Sequence, residues 1–277
     1  MLSYRHAFHA GNHADCLKHT LLARLITAMQ RKDKGFLYMD THAGAGTYDL
    51  TEAVAQKVGE YQDGISRIDG RADAPPGMEE YLDAVRAANP KGKLRYYPGS
   101  PAVALHLLRP QDRAMLCELH PADYETLTFG LGNERRVRVE RIDGFQALKA
   151  HLPPPERRAL VHIDPPYERS QEYRQAREAL AMAHKRFPAG VYALWYPLLN
   201  NRDAKRLPDA IAATGIRNIL RAELWVRPPG VGLYGSGMLV INPPWRFEEE
   251  IRELMPWLAE VLSAGQGGWR LDWLVPE

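Results

Sequence analysis

Apolar residues recur along this chain in two rhythms. Short apolar runs stand at 36–40, 113–117, 137–140, 159–163, 191–197, 219–226, 238–241 and 269–275, several closing on an acid or an amide. A strand covered on both faces has no reason to alternate polar with apolar positions, so these runs read as buried strands. Between them lie stretches in which apolar residues return every three or four positions. Leu17, Leu21, Leu25 and Met29 mark such a helix over 14–30, and others are predicted over 102–108 and 202–214. Strands alternating with helices predict an α/β chain on a Rossmann-like frame. The rhythm breaks once. From about 51 to 92 no strand pattern appears, and helices are expected over 54–68 and 78–88, parted by Asp73-Ala74-Pro75-Pro76-Gly77. This reads as a small helical subdomain inserted into the frame, dividing the chain into residues 1–50, 51–92 and 93–277.

The run at 159–163 delivers Asp164-Pro165-Pro166-Tyr167. Two successive prolines have no backbone N–H to donate, so strand pairing stops there. A carboxylate, free carbonyls and an aromatic ring are left on a stiff turn at a strand's C-terminal end, where open α/β sheets bind ligands. An exocyclic amine on a planar base has two N–H donors and a lone pair delocalised into the ring. Asp164 and the Pro165 carbonyl suit those two donors, which would draw the nitrogen toward a nucleophilic geometry, and Tyr167 suits a stack on the ring. A methyl group on a sulfonium beyond the nitrogen could then be transferred in line. A second turn of this kind, Asn242-Pro243-Pro244-Trp245, is a weaker candidate because it comes last in the chain, after a Gly-rich stretch.

Other strand ends carry matching chemistry. Asp40 leads into Thr41-His42-Ala43-Gly44-Ala45-Gly46, small residues that let a ligand approach the backbone. Ser100 is expected to cap a helix, with Pro101 at its first position. Glu118 follows the second strand, where a carboxylate can take ribose hydroxyls. Asp143, beside Gly144, is placed to accept from an adenine amino group. Acids at four successive strand ends, Asp40, Glu118, Asp143 and Asp164, argue against chance. Ahead of them, Tyr4, Arg5 and His6 begin a basic, aromatic tail suited to folding over a ligand or a phosphate backbone, and Lys18 and His19 sit where a pocket could reach them. His9, His13, Cys16 and His19 match no closed zinc spacing, so no metal is expected.

Composition changes this picture little. The 277 residues are 45% hydrophobic and 25% charged, as in ordinary globular proteins. No run of about 18 apolar residues exists, so no membrane-spanning helix is expected. The N-terminus lacks an apolar signal core, and the cysteines are only Cys16 and Cys117, which fits a reducing cytoplasm. Net charge is +2, too mild to identify a nucleic-acid binder. Basic clusters at Arg135–Arg141, Arg157–Arg158, Lys185–Arg186 and Arg202–Arg206 each read alone as solvated surface.

The run Tyr4-Arg5-His6-Ala7-Phe8-His9-Ala10-Gly11-Asn12-His13-Ala14-Asp15, the turn Asp40-Thr41-His42-Ala43-Gly44-Ala45-Gly46, the segment Tyr96-Tyr97-Pro98-Gly99-Ser100-Pro101 and the turn Ile163-Asp164-Pro165-Pro166-Tyr167-Glu168 resemble the RlmJ family, bacterial 23S ribosomal RNA adenine-N6 methyltransferases. The resemblance runs to Val275-Pro276-Glu277. It implies a class I methyltransferase fold with a helical insert, S-adenosylmethionine as cofactor and no metal. It further implies that His19, His42, Ser100, Glu118, Asp143, Gly144 and Asp164 line the cofactor site, with Asp164 also accepting from the target amine and Tyr4 contacting RNA. The expected partner is 23S ribosomal RNA, naked or in an early assembly intermediate, acted on by a monomer. The competing readings are DNA adenine-N6 methylation, amide methylation on a protein glutamine, and a non-catalytic nucleic-acid-binding protein.

Overall fold

In the computed structural model, which describes residues 6–277, the apolar runs become β1 (Leu37–Asp40), β4 (Arg113–Cys117), β5 (Val137–Glu140), β6 (Ala159–Ile163), β7 (Val191–Leu198), β8 (Ile219–Trp225), β9 (Gly235–Ile241) and β10 (Gly268–Val275). They form one sheet in the order β10-β8-β9-β7-β6-β1-β4-β5. β5, β4, β1, β6 and β7 are parallel, whereas β9 runs antiparallel to both neighbours and β10 antiparallel to β8. Chain order reverses between β1 and β6. A crevice therefore opens at the C-terminal ends of those strands, the usual ligand position in such sheets.

Helices cover both faces. α1 (His13–Gln30), α5 (Ser100–Leu107), α6 (Pro121–Leu131) and α10 (Phe247–Ser263) lie on one side, and α7 (Gly144–His151), α8 (Ser170–Arg186) and α9 (Arg202–Ala212) on the other. Four helices, α6, α7, α8 and α10, go beyond those expected from periodicity. In α8 the signal was present: Tyr173, Ala176, Leu180 and Ala183 are its buried stripe.

The insert departs from expectation. Instead of one helix over 54–68, there is α2 (Ala53–Val58), a 3-10 turn at Glu60–Asp63, and α3 (Ile65–Ile68). Gly59 ends α2 in the left-handed region at φ 71°. Gly64 then brings the chain so close to α1's start that a Cβ would lie 2.0 Å from the Gly11 carbonyl. α4 (Glu79–Ala88) follows as expected. Two short strands stand outside the main sheet: β2 (Thr47–Asp49) and β3 (Tyr96–Pro98) pair as a separate ribbon. Ile65, Ile68, Met78, Tyr81 and Val85 share one core with Leu17 and Leu21 of α1 and Phe247 and Leu258 of α10. Arg24 of α1 bridges Glu80 of α4 at 2.5 Å and Glu250 of α10 at 2.7 Å.

Strand polarity decides between the two proline turns. Ile241 pairs with Tyr192 at the beginning of β7, so Asn242-Pro243-Pro244-Trp245 emerges at the edge opposite Asp164. There the Asn242 amide donates to the Pro188 and Gly190 carbonyls, both at 2.8 Å. This turn is structural.

Candidate active site

A cavity of about 550 Å³ opens where β1, β4, β6 and β7 end, with α1 and residues 6–12 on its remaining side. Asp164 lines it. Pro165 and Pro166 end β6, and Tyr167 adopts φ 52° to turn the chain toward α8. Lys18 Nζ donates to Asp164 Oδ2 at 2.6 Å and lies 2.9 Å from Asp15 Oδ1. Burial works against the ammonium, but Asp15 and then Asp164 outweigh it and hold the lysine pKa above its ordinary value. Burial likewise opposes the Asp15 carboxylate, yet His6 and Lys18 keep its pKa well below the usual range. Asp15 also accepts from the Gly11 backbone at 2.9 Å and pairs with His6 Nε2 at 2.9 Å. His6 thus sits at the pocket, 5.2 Å from the Tyr48 ring. Tyr4 and Arg5 lie outside the described residues.

Beside Lys18, His19 Nδ1 meets the Tyr97 hydroxyl at 2.7 Å, and that hydroxyl meets Tyr81 of α4 at 3.0 Å. Burial pushes the His19 pKa far down, so the ring is neutral. The insert thereby buttresses a pocket residue from behind.

The turn after β1 is held from two directions. Asp40 is wholly buried and does not reach the cavity. It accepts from Tyr38 Oη and Ser100 Oγ, both at 2.7 Å, so the expected acid at this strand end serves as an anchor. Ser100 is correspondingly the first residue of α5 rather than its cap, which is Gly99. Further along, Gly44 N–H donates to Glu118 Oε2 at 2.8 Å and His120 N–H to Oε1 at 2.7 Å. Burial raises the Glu118 pKa. Gly44 has φ +61°, and a Cβ there would lie 2.2 Å from the Tyr48 hydroxyl. His42 has its Nδ1 2.8 Å from Thr41 Oγ1, its ring edge-on to Phe145 at 5.2 Å, and its pKa lowered by burial. Asp143 caps α7 through Gln146 N–H at 3.0 Å. Gly144 packs so tightly on this turn that a Cβ would fall 2.0 Å from the Thr41 carbonyl.

Tyr167 differs from its sequence reading. Its residue is 6% exposed, its hydroxyl donates to the Trp195 carbonyl at 2.9 Å, and its ring packs on Tyr173 at 4.5 Å. One face is thus spent on the core, and the ring forms wall rather than a free platform. Trp195, which the sequence reading assigned to a core strand, lines the cavity with Pro197, Leu199 and Leu233. Its Nε1–H donates to Ser236 Oγ at 2.8 Å, and Lys18 Nζ sits 5.3 Å from its ring centroid. An apolar run gives no sign of which alternate member will face a crevice.

A family model described as ribosomal RNA large subunit methyltransferase D, RlmJ, matches residues 33–275. The chain is 50% identical over 280 residues to ribosomal RNA large subunit methyltransferase J of Escherichia coli (strain K12), covering 100% of each. Its identity to the protein of the same name from Haemophilus influenzae is 47% over 281 residues, again covering 100% of each. A crystal structure of a protein from Legionella pneumophila, 37% identical, matches with a TM-score of 0.90 over 96% of this chain and 98% of that one. This chain belongs to the RlmJ family.

In this RlmJ-family chain, the reversed β9 beside β7 and the switch between β1 and β6 make the class I methyltransferase sheet, with β10 added at one edge. The cofactor is S-adenosylmethionine. The cavity fits it in charge: Glu118, Asp123, Asp143 and Asp164 line it against a cationic ligand. Among the described residues, no cluster of three or more His, Cys, Asp or Glu side chains is disposed to hold a metal, and no helix is long and apolar enough to cross a membrane.

Proposed function

We propose that this protein methylates the N6 amino group of one adenine in 23S ribosomal RNA, in the bacterial cytoplasm. The observation that carries the reading is Asp164. It is a carboxylate at the end of a central strand, fixed through Oδ2 by Lys18, with no described group bonded to Oδ1. S-adenosylmethionine supplies an electrophilic methyl group when bound. Glu118 would accept from its ribose hydroxyls and Asp143 from its adenine amine. On the acceptor side, Asp164 Oδ1 and the Pro165 carbonyl accept the two N–H donors of the target amine and restore its lone pair for attack. Lys18 holds the carboxylate in place through Oδ2. Asp164 is also the group placed to take the proton released from the methylated nitrogen. A neutral nucleophile meeting a cationic donor disperses charge, so orientation supplies most of the rate. The adenine has to leave its stack to reach this depth, which favours an unpaired or helix-end base.

The test is transfer of tritium from labelled S-adenosylmethionine to unmodified 23S RNA, with DNA and a glutamine peptide in competition, followed by nucleoside analysis. N6-methyladenosine at one site is expected. Label in DNA or peptide alone would replace the acceptor, and binding without transfer to any acceptor would leave a nucleic-acid-binding protein.

A further inference from the structure

We propose that the exposed face of α9 carrying Arg202 and Arg206 is a docking surface for the phosphate backbone of the RNA acceptor. This rests on the function proposed above. The polarity of the sheet sorts the chain's basic clusters. Arg135 precedes β5, Arg158 precedes β6 and Lys185 closes α8, so all three lie at the edge away from the cavity. Arg158 is moreover spent on the Met29 and Lys34 carbonyls. Arg202 and Arg206 open α9 directly after β7, at the edge where β6 delivers Asp164.

The cofactor's share of the crevice also directs the acceptor there. Glu118 and Asp143 follow β4 and β5, so a donor bound to them covers that half and leaves the β6–β7 side for the incoming base. Arg202 and Arg206 are exposed, four apart on one helix face, and neither makes a hydrogen bond or ion pair within the described residues. The neighbouring cation, Lys205, donates to Asn200 at 2.5 Å. Two guanidiniums without carboxylates to neutralise them are suited to phosphate oxygens, which accept from them in a bidentate fashion. The surface is rigidly referenced to the reaction centre. Ser170, the first residue of α8 after the Asp164 turn, donates to Asp203 at 2.5 Å. A backbone phosphate held on α9 would therefore fix where the flipped base enters.

The comparison pairs Arg202→Ala/Arg206→Ala with Arg135→Ala/Lys185→Ala, which removes the same charge from two exposed cations at the opposite edge that make no ion pair within the described residues. Affinity for unmodified 23S RNA is measured against salt, with S-adenosylmethionine affinity and KM as companions. The α9 pair should weaken RNA binding by about 10-fold or more at low salt and reduce the salt slope by about 1 to 2, leaving cofactor affinity unchanged. The opposite-edge pair should match wild type. Equal effects from the two pairs, or no change in slope from the α9 pair, would overturn the surface. Failure of wild type to methylate any RNA would instead overturn the proposed function, and the binding comparison would still decide the surface.

Discussion

Lys18 holds two carboxylates, and its charge cannot be removed without stranding them. Lys18→Met should cost about 3 kcal/mol, because Asp15 and Asp164 both lose the ammonium between them and buried Asp15 keeps only His6 and the Gly11 N–H; urea unfolding measures it. Asp164→Ala removes the acceptor for the amine. Transfer should fall by about 10³-fold or more with folding retained, and near-wild-type turnover would sink the mechanism. The buried histidines set a pH dependence of definite sign. Burial pushes His13 down to about 4 and lowers His19 and His42 in the same direction. Each binds its proton more readily unfolded than folded, so each contributes stability that is complete above about pH 6.5 and lost as pH falls toward 4. The melting temperature should drop across that window, and His13→Gln should flatten the slope. A slope unchanged by that substitution would show that His13 does not drive it.

At the scale of elements, small residues and hydroxyls set how closely the chain's parts approach. Gly144→Ala would drive a methyl group into the Thr41 carbonyl and push α7 off the β1 turn. Cofactor affinity should fall by at least about 10-fold, as calorimetric titration would record. Tyr97→Phe removes the hydroxyl joining His19 to Tyr81 and leaves a buried ring nitrogen without its partner. A loss of about 1–3 kcal/mol is expected, with weaker cofactor binding. A variant as stable as wild type would mean that the insert gives no support to the pocket through this path.

For the whole molecule, the insert is inseparable from the frame. Ile65, Met78, Tyr81 and Val85 complete the core that α1 and α10 need. Deleting residues 51–92 should therefore abolish cooperative unfolding rather than leave a folded methyltransferase, as circular dichroism through a thermal ramp would reveal.

What the sequence determined by itself was local and covalent. Runs buried on both faces announced the strands, consecutive prolines stopped β6 at Asp164, and Gly44 and Gly144 marked close approaches. The tertiary structure decided everything that depends on direction. Two similar proline turns were separated only by the reversal of β9, because a strand's polarity is set by its pairing and not by its composition. Asp40 and Asp164 end adjacent strands, yet one is consumed by Tyr38 and Ser100 while the other faces the cavity, since hydrogen bonding is spent by neighbours distant in the chain. The same holds for charge. The basic clusters look alike in sequence, and the sheet alone puts Arg202 and Arg206 beside the reaction centre, because it assigns each strand end to one edge or the other.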